Sequence, residues 1–278
     1  MSASDALPTV HINARRGITD LGVGELRHQG HLLWLLTKRE LQLRYVQTVL
    51  GPLWVVVSPL APALLFTFVF TQVATIDTHG LPYLVLVTTA MVPWNTVSRV
   101  LGRAGGALIA QRNLLTKVYF PRLLVPLSTT LAGIADHLVS LVIVALAMLE
   151  SGTPATWRLL ALPLLTVWTL ALALGTSVLS AAVSVRRRDV VTAIPIAVQV
   201  WLYASPVAYP LSAVSPRLRP FLACNPMTSL VEAHRWAVLG TTGMSPRSMI
   251  AGIAETVVIL VCGQALFRAA ERNMADVL

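Results

Sequence analysis

The sequence predicts an all-α integral membrane protein. It should have six transmembrane helices, an N-terminal amphipathic interface helix, a short helix in a basic loop, and a broken stretch before the last span. Three observations predict this. Hydrophobic residues fill 55% of the 278 positions and charged residues only 12%, where soluble domains carry about 25% charge. Mean hydropathy is +0.72. The apolar residues collect into six runs, most of them long enough for about 30 Å of hydrocarbon. Between the last two runs, residues 218–240 are too polar and too short to cross as one helix, and Pro220 and Pro226 interrupt them.

Residues 1–30 are polar, contain Arg15, Arg16 and Arg27, and lack the apolar core of a signal peptide. They read as a cytoplasmic tail. Residues 31–50 follow as the interface helix. Leu32, Leu36, Leu43, Val46 and Leu50 share one face, Lys38, Glu40 and Arg44 lie away from it, and Arg39 falls on its edge. Trp34 and Tyr45 suit the headgroup level. Residues 51–268 form the membrane domain. Its first span, 53–74, is kinked by Pro59 and Pro62. The second, 82–98, contains Pro93-Trp94. A basic loop covers 99–122, with Gly102 and Gly106 as a flexible joint and residues 111–119 as a short helix along the membrane.

The third span, 123–149, has Asp136 near its middle, and an intramembrane carboxylate is a functional candidate by default. The fourth is 157–184. The fifth, 190–209, carries Trp201, Tyr203 and Tyr209. In the re-entrant region, 212–240, Asn225-Pro226 signals a turn, Thr228-Ser229 suits a helix cap, and Gly240 suits a helix end. An external loop with one amphipathic helix is the competing reading of that region. The sixth span, 248–267, contains Glu255, and 269–278 is a tail. Of the 21 Lys and Arg residues, sixteen fall on the side of the termini, which places both termini in the cytoplasm.

The net charge of +9 sits between apolar runs. It reads as topology and phosphate contact, with no nucleic-acid role. Cys224 and Cys262 fall in different segments and argue little for a disulfide. A phosphate-binding loop needs Gly-Lys before Ser or Thr. The only lysines, Lys38 and Lys117, both follow threonine. His11, His28, His31, His79, His137 and His234 make no metal-ligand cluster, so no metal is expected. No acidic cluster suits a metal-dependent transferase. Any work done by this chain is powered by another.

Six segments, in order, carry a family resemblance: RELQLRYVQTVLGPLW (39–54), VPWNTVSRVL (92–101), NLLTKVYFPRLLVPLS (113–128), RRRDV (186–190), SPVAYPLS (205–212) and NPMTSLVEAHRWAVLG (225–240). Over about 33–267 the chain resembles the permease subunits of ABC type-2 exporters of polysaccharides and polyol phosphates. The resemblance implies a homodimer in the bacterial plasma membrane with two copies of a cytoplasmic ATPase, which binds the ATP and Mg. It implies transport of a polyprenyl-diphosphate-linked glycan. It makes 111–119 the coupling helix, with Gln111, Arg112, Asn113, Leu114, Leu115, Lys117 and Tyr119 facing the ATPase. It makes 212–240 the external re-entrant gate helices, with Asn225, Pro226, Glu232 and Arg235 in the gate. The chain departs from the family pattern at Ala233-His234 and at Met91-Val92, which leaves glycan preference open.

Within that frame Arg44, Arg186, Arg187 and Arg188 are the expected contacts for the lipid diphosphate, since arginine pairs bidentately with phosphate oxygens. Positive-inside topology alone also accounts for them. Trp201, Tyr203, Tyr209 and Trp236 are the expected aromatic substrate path, and an interfacial aromatic belt is the alternative. Asp136 either pairs across the dimer or is a satisfied buried acid. O-antigen, teichoic acid and cell-wall galactan all fit as cargo, and the 19 arginines against two lysines tilt the expectation to galactan. The rivals are an integral-membrane glycosyl or phosphoglycosyl transferase, an ion-coupled transporter, and the same fold exporting a lipid or drug.

Overall fold

A computed structural model describes residues 29–44, 48, 51–73, 78, 80–110, 121–187, 189–241 and 245–271. Among these there are nine α-helices and no strand. In chain order they are α1 (Gly30–Leu43), α2 (Trp54–Phe68, continued by a π turn, Val69–Val73), α3 (Tyr83–Ala110), α4 (Leu124–Glu150), α5 (Leu162–Arg186), α6 (Asp189–Tyr203), α7 (Arg219–Ala223), α8 (Pro226–Leu239) and α9 (Pro246–Glu271). Five stretches are long and apolar enough to cross a membrane: Trp54–Val73, Tyr83–Ala110, Leu124–Glu150, Trp157–Arg186 and Pro246–Glu271. These match the first, second, third, fourth and sixth expected spans.

The bundle is built around α3, which packs on α2, α4, α5, α6 and α8. Its apolar window is 78% buried, against 11% for the first span. One core cluster joins Trp94 and Val97 of α3, Trp168 and Leu172 of α5, and Met227, Leu230 and Val231 of α8. A second gathers Leu36, Leu108, Leu124, Val185 and Phe267 at the end of the bundle that also carries Arg122 and Arg186. Both of those arginines donate to carbonyls at the C-terminus of α9: Arg122 to Glu271 and Arg186 to Ala269. A helix end leaves such carbonyls without intrahelical partners and favours a cation there.

Four expectations are corrected. Helix α3 runs unbroken to Ala110, so Arg99 and Arg103 are helical and Gly102 and Gly106 are no joint. The glycine that matters for packing is Gly105. A Cβ there would lie 2.5 Å from Ile194 Cδ1, 2.9 Å from Ser180 Oγ and 3.0 Å from Ser184 Oγ, so the glycine lets three helices close up.

The fifth apolar run is helical only as far as Tyr203, the end of the 15-residue α6. Pro206 disfavours helical geometry at Ser205 and lacks an N–H of its own. The buried side of α1 runs through Leu33, Leu36 and Thr37 to Arg44, while Leu43 is 61% exposed. Leu32 and Leu36 of the expected stripe do pack into the bundle, so only the C-terminal part of the face departs from it, where Arg44 has a partner inside the bundle. Finally, Asn225 caps α8, not Thr228-Ser229. Gly240 ends that helix as expected, in the left-handed conformation at φ 71°. Helix α8 is buried along almost its whole length, which does not fit a surface amphipathic helix. Cys224 and Cys262 are both free and exposed. The expected coupling helix at 111–119 and Arg188 lie outside the described residues.

Candidate functional site

The break after α6 creates the first polar centre. A chain that leaves a helix inside a packed bundle strands its carbonyls, and each must find a donor. Here side chains supply them. Tyr83 of α3 donates its hydroxyl to the Ala208 carbonyl. Arg235 of α8 donates to the carbonyls of Val207 at 3.0 Å, Tyr209 at 3.2 Å and Leu86 at 3.4 Å. Its charge is balanced one turn back by Glu232, with Nη1 to Oε1 at 2.9 Å. Arg235 is 1% exposed. A buried guanidinium is tolerated only when paired and hydrogen-bonded, and this one is both.

Asn225 fastens the same turn from below. Its Oδ1 accepts from the Met227 amide at 3.1 Å and from Trp201 Nε1 at 2.9 Å. Its Nδ2 donates to the Ala204 carbonyl at 3.1 Å and to Ser205 Oγ at 2.9 Å. An amide side chain has two donors and an acceptor oxygen, so its capacity is largely used. Trp201 in turn meets Trp94 edge to face, with ring centroids 5.7 Å apart. A cleft of about 450 Å³ opens over this centre, lined by Thr78, Leu81, Ser212, Arg219, Glu232 and Arg235 among others.

The second polar centre lies between α1, α3 and α4. Asp136, 2% exposed, accepts from Arg44 Nη1 at 2.7 Å and from Arg99 Nη1 at 3.1 Å. Asp136 is thus paired within its own chain. Arg44, expected at the lipid diphosphate, closes the end of α1 onto the middle of α4.

The remaining expected site residues fall into separate places. Tyr203 is 65% exposed, and its carbonyl accepts from the half-buried Tyr209 hydroxyl at 3.1 Å. Trp236 faces Trp157 edge to face at 6.3 Å and carries Arg158 over its ring at 5.7 Å. The four aromatics make separate contacts: Trp201 belongs to the Asn225 node, the two tyrosines to the turn, and Trp236 to the Arg158 corner. Arg186 and Arg187 are exposed at the junction of α5 and α6.

The structure also brings together groups to which the sequence alone assigns no common place. His137 and His234 are fully buried, with rings 6.2 Å apart. His137 bonds Thr96 Oγ1 at 3.1 Å and Thr166 Oγ1 at 2.9 Å, and His234 Nδ1 donates to the Leu230 carbonyl at 2.8 Å. The two histidines are 97 positions apart in the sequence, and only the fold brings them together. Arg99 was legible as a charge but not as the partner of a residue 37 positions away.

Comparison with known proteins fits this architecture. The profile of the ABC-2 type transporter family matches residues 31–239. The chain belongs to the ABC-2 type transporter family. The O-antigen export system permease protein RfbA of Myxococcus xanthus is 28% identical over 256 residues, covering 91% of this chain and 98% of that protein. The protein of the same name from Klebsiella pneumoniae is 24% identical over 249 residues, covering 89% and 95%. The polysialic acid transport protein KpsM of Escherichia coli is 24% identical over 241 residues, covering 85% and 92%. As an ABC-2 permease the chain is a multi-pass membrane protein. The matched region takes in both polar centres, from Arg44 to Arg235.

Proposed function

We propose that this ABC-2 permease is the membrane subunit of an exporter that moves a polysaccharide, joined to a polyprenyl diphosphate, out across the bacterial plasma membrane. The observation that carries the reading is the end-to-end similarity to an O-antigen export permease, over 91% of this chain and 98% of that one. Two copies of the chain pair and recruit two copies of a cytoplasmic ATPase, which holds the ATP and Mg. Residues 111–119 dock on that ATPase and carry its motion into α3 and α4. Both termini face the cytoplasm. O-antigen-type glycans lead the candidates by the names of the relatives, with teichoic acid and galactan behind them.

The geometry supports a passage at α6–α8. At 1.5 Å per residue, α6 reaches about 22 Å, short of the roughly 30 Å of hydrocarbon. The turn after Tyr203 completes the fifth crossing. Irregular backbone survives at membrane depth only when buried in protein or lining a water-filled cavity. The bonds from Tyr83, Asn225 and Arg235 satisfy that condition. Asn225, Pro226, Glu232 and Arg235 then form the hinge of an outer gate. Trp201, Tyr203, Tyr209 and Trp236 offer sugar-stacking faces as the gate moves. Arg44, Arg186, Arg187 and Arg188 receive the diphosphate on the opposite side.

The test is copurification in lipid nanodiscs with the ATPase encoded beside this chain. A two-plus-two complex whose ATP hydrolysis responds to a polyprenyl-diphosphate glycan is the expected result. A chain that recruits no ATPase overturns the reading.

A further inference from the structure

Around Asp136 the donors outnumber the acceptors. The carboxylate receives Arg44 Nη1 and Arg99 Nη1, one on each oxygen. Arg103 sits one turn beyond Arg99 on α3, within electrostatic reach of Arg44, Asp136, Glu40 and Arg99. Three guanidiniums therefore gather around one carboxylate whose two oxygens are already taken by Arg44 and Arg99. Two nitrogens of this centre, Arg44 Nε and Arg103 Nη1, are buried and have no acceptor among the described residues. The Arg44 side chain is 6% exposed, so bulk water does not serve its Nε. Arginine only donates and does not shed its proton, so neither group escapes by changing state. A buried charged donor without an acceptor is costly, and that cost vanishes when an anion arrives.

We propose that Arg44, Arg99 and Arg103 form a binding site for a phosphate or diphosphate group, with Asp136 as the resident counter-ion that keeps Arg44 and Arg99 converged. A second carboxylate would add only two oxygens in one plane. A phosphate offers three or more in a tetrahedron, which suits donors arriving from α1 and from two turns of α3. The Arg99 side chain, 20% exposed, marks the open side of the site. The group comes either from a lipid headgroup or from free phosphate. The inference rests on the transport reading for its biological meaning. It keeps Arg44 from the expected diphosphate contacts and joins to it, at the α1–α3–α4 seam, Arg99 and Arg103, apart from the exposed arginines of the α5–α6 corner.

The experiment uses the full chain in phosphatidylcholine nanodiscs and follows its thermal midpoint by tryptophan fluorescence. One arm titrates inorganic diphosphate. The other adds phosphatidic acid to the discs, as a lipid phosphomonoester. Arg103→Gln is the main variant, because it leaves both bonds to Asp136 in place. Arg217→Gln, at an exposed position outside the site, is the control. A saturable rise in midpoint that Arg103→Gln weakens by roughly tenfold and Arg217→Gln leaves unchanged is expected.

A response in the diphosphate arm identifies a site open to free anions. A response confined to the phosphatidic acid arm identifies a lipid headgroup. No response in either arm, or one that Arg103→Gln leaves intact, overturns the proposal. Should Arg103→Gln not fold, Arg103→Lys takes its place: it keeps the charge and loses the planar fork, and an undiminished response is again fatal. Neither readout involves an ATPase or a glycan. A chain that binds diphosphate yet recruits no ATPase overturns the transport reading alone, and export without any anion response overturns the site alone.

Discussion

Removing the Asp136 carboxylate would leave Arg44 and Arg99 facing each other in a largely buried space. Breaking a buried pair by deleting one partner costs about 3–5 kcal/mol. Asp136→Asn should therefore lower the thermal midpoint and the yield of monodisperse protein, while Asp136→Glu keeps most of both. A normal midpoint for Asp136→Asn would mean that water already screens the centre. Asn225→Ala tests the other centre. It removes a helix cap worth about 1 kcal/mol and strands the Trp201 indole, a group whose lost bond costs about 1–3 kcal/mol. A blue-shifted or broadened tryptophan emission should accompany the lower midpoint. Asp136 stood out in the sequence because charge in an apolar run must have a reason. Its partners did not, since nothing local links position 136 to 44 or 99. Arg235 was legible in the same limited way: its charge was visible, but not the carbonyls of Val207 and Tyr209 in the break at Pro206, nor that of Leu86 on α3.

Helix boundaries were read well where the bilayer dictates them and poorly where packing does. The limits of α4 and α5 follow from long apolar runs, broken in α4 by Asp136-His137. A charge such as Arg99 marks the end of a span in the sequence, yet here it is neutralised by Asp136 and helix α3 runs on to Ala110, 28 residues in all, about 42 Å. The glycines on α3 show the same difference. Gly102 and Gly106 were read as a pair, but no atom outside the local helix backbone lies within 4 Å of a Cβ at Gly102, whereas at Gly105 it meets α5 and α6. Gly102→Ala should be neutral or stabilising by up to about 1 kcal/mol, the helix-propensity difference. Gly105→Val should destabilise by at least about 2 kcal/mol through overpacking. Thermal midpoints of the two variants in nanodiscs decide it. If Gly105→Val is the milder change, the close approach of α3, α5 and α6 is not a constraint on the fold.

The whole chain divides into an arginine-rich end, where α1 closes on α3 and α4 and where Arg122 and Arg186 cap α9, and an opposite end, where the break after α6 is held by α3 and α8. The excess of basic residues on one side made this polarity legible before any contact was known, because charge bias sets orientation during insertion. The two free cysteines turn it into an experiment. Cys224 lies between α7 and α8 at the far end, exposed. Cys262 is exposed on α9, within a stretch long and apolar enough to cross a membrane. Thiols react through the thiolate, which needs water. A membrane-impermeant maleimide should therefore label intact cells at Cys224 and not at Cys262, and Cys224→Ala should abolish the signal. A cysteine placed at Ser4 should label only after the cells are opened. Labelling of Cys224 that also waits for opening would invert the orientation, put the α6–α8 break on the cytoplasmic side, and remove the outer gate from the mechanism.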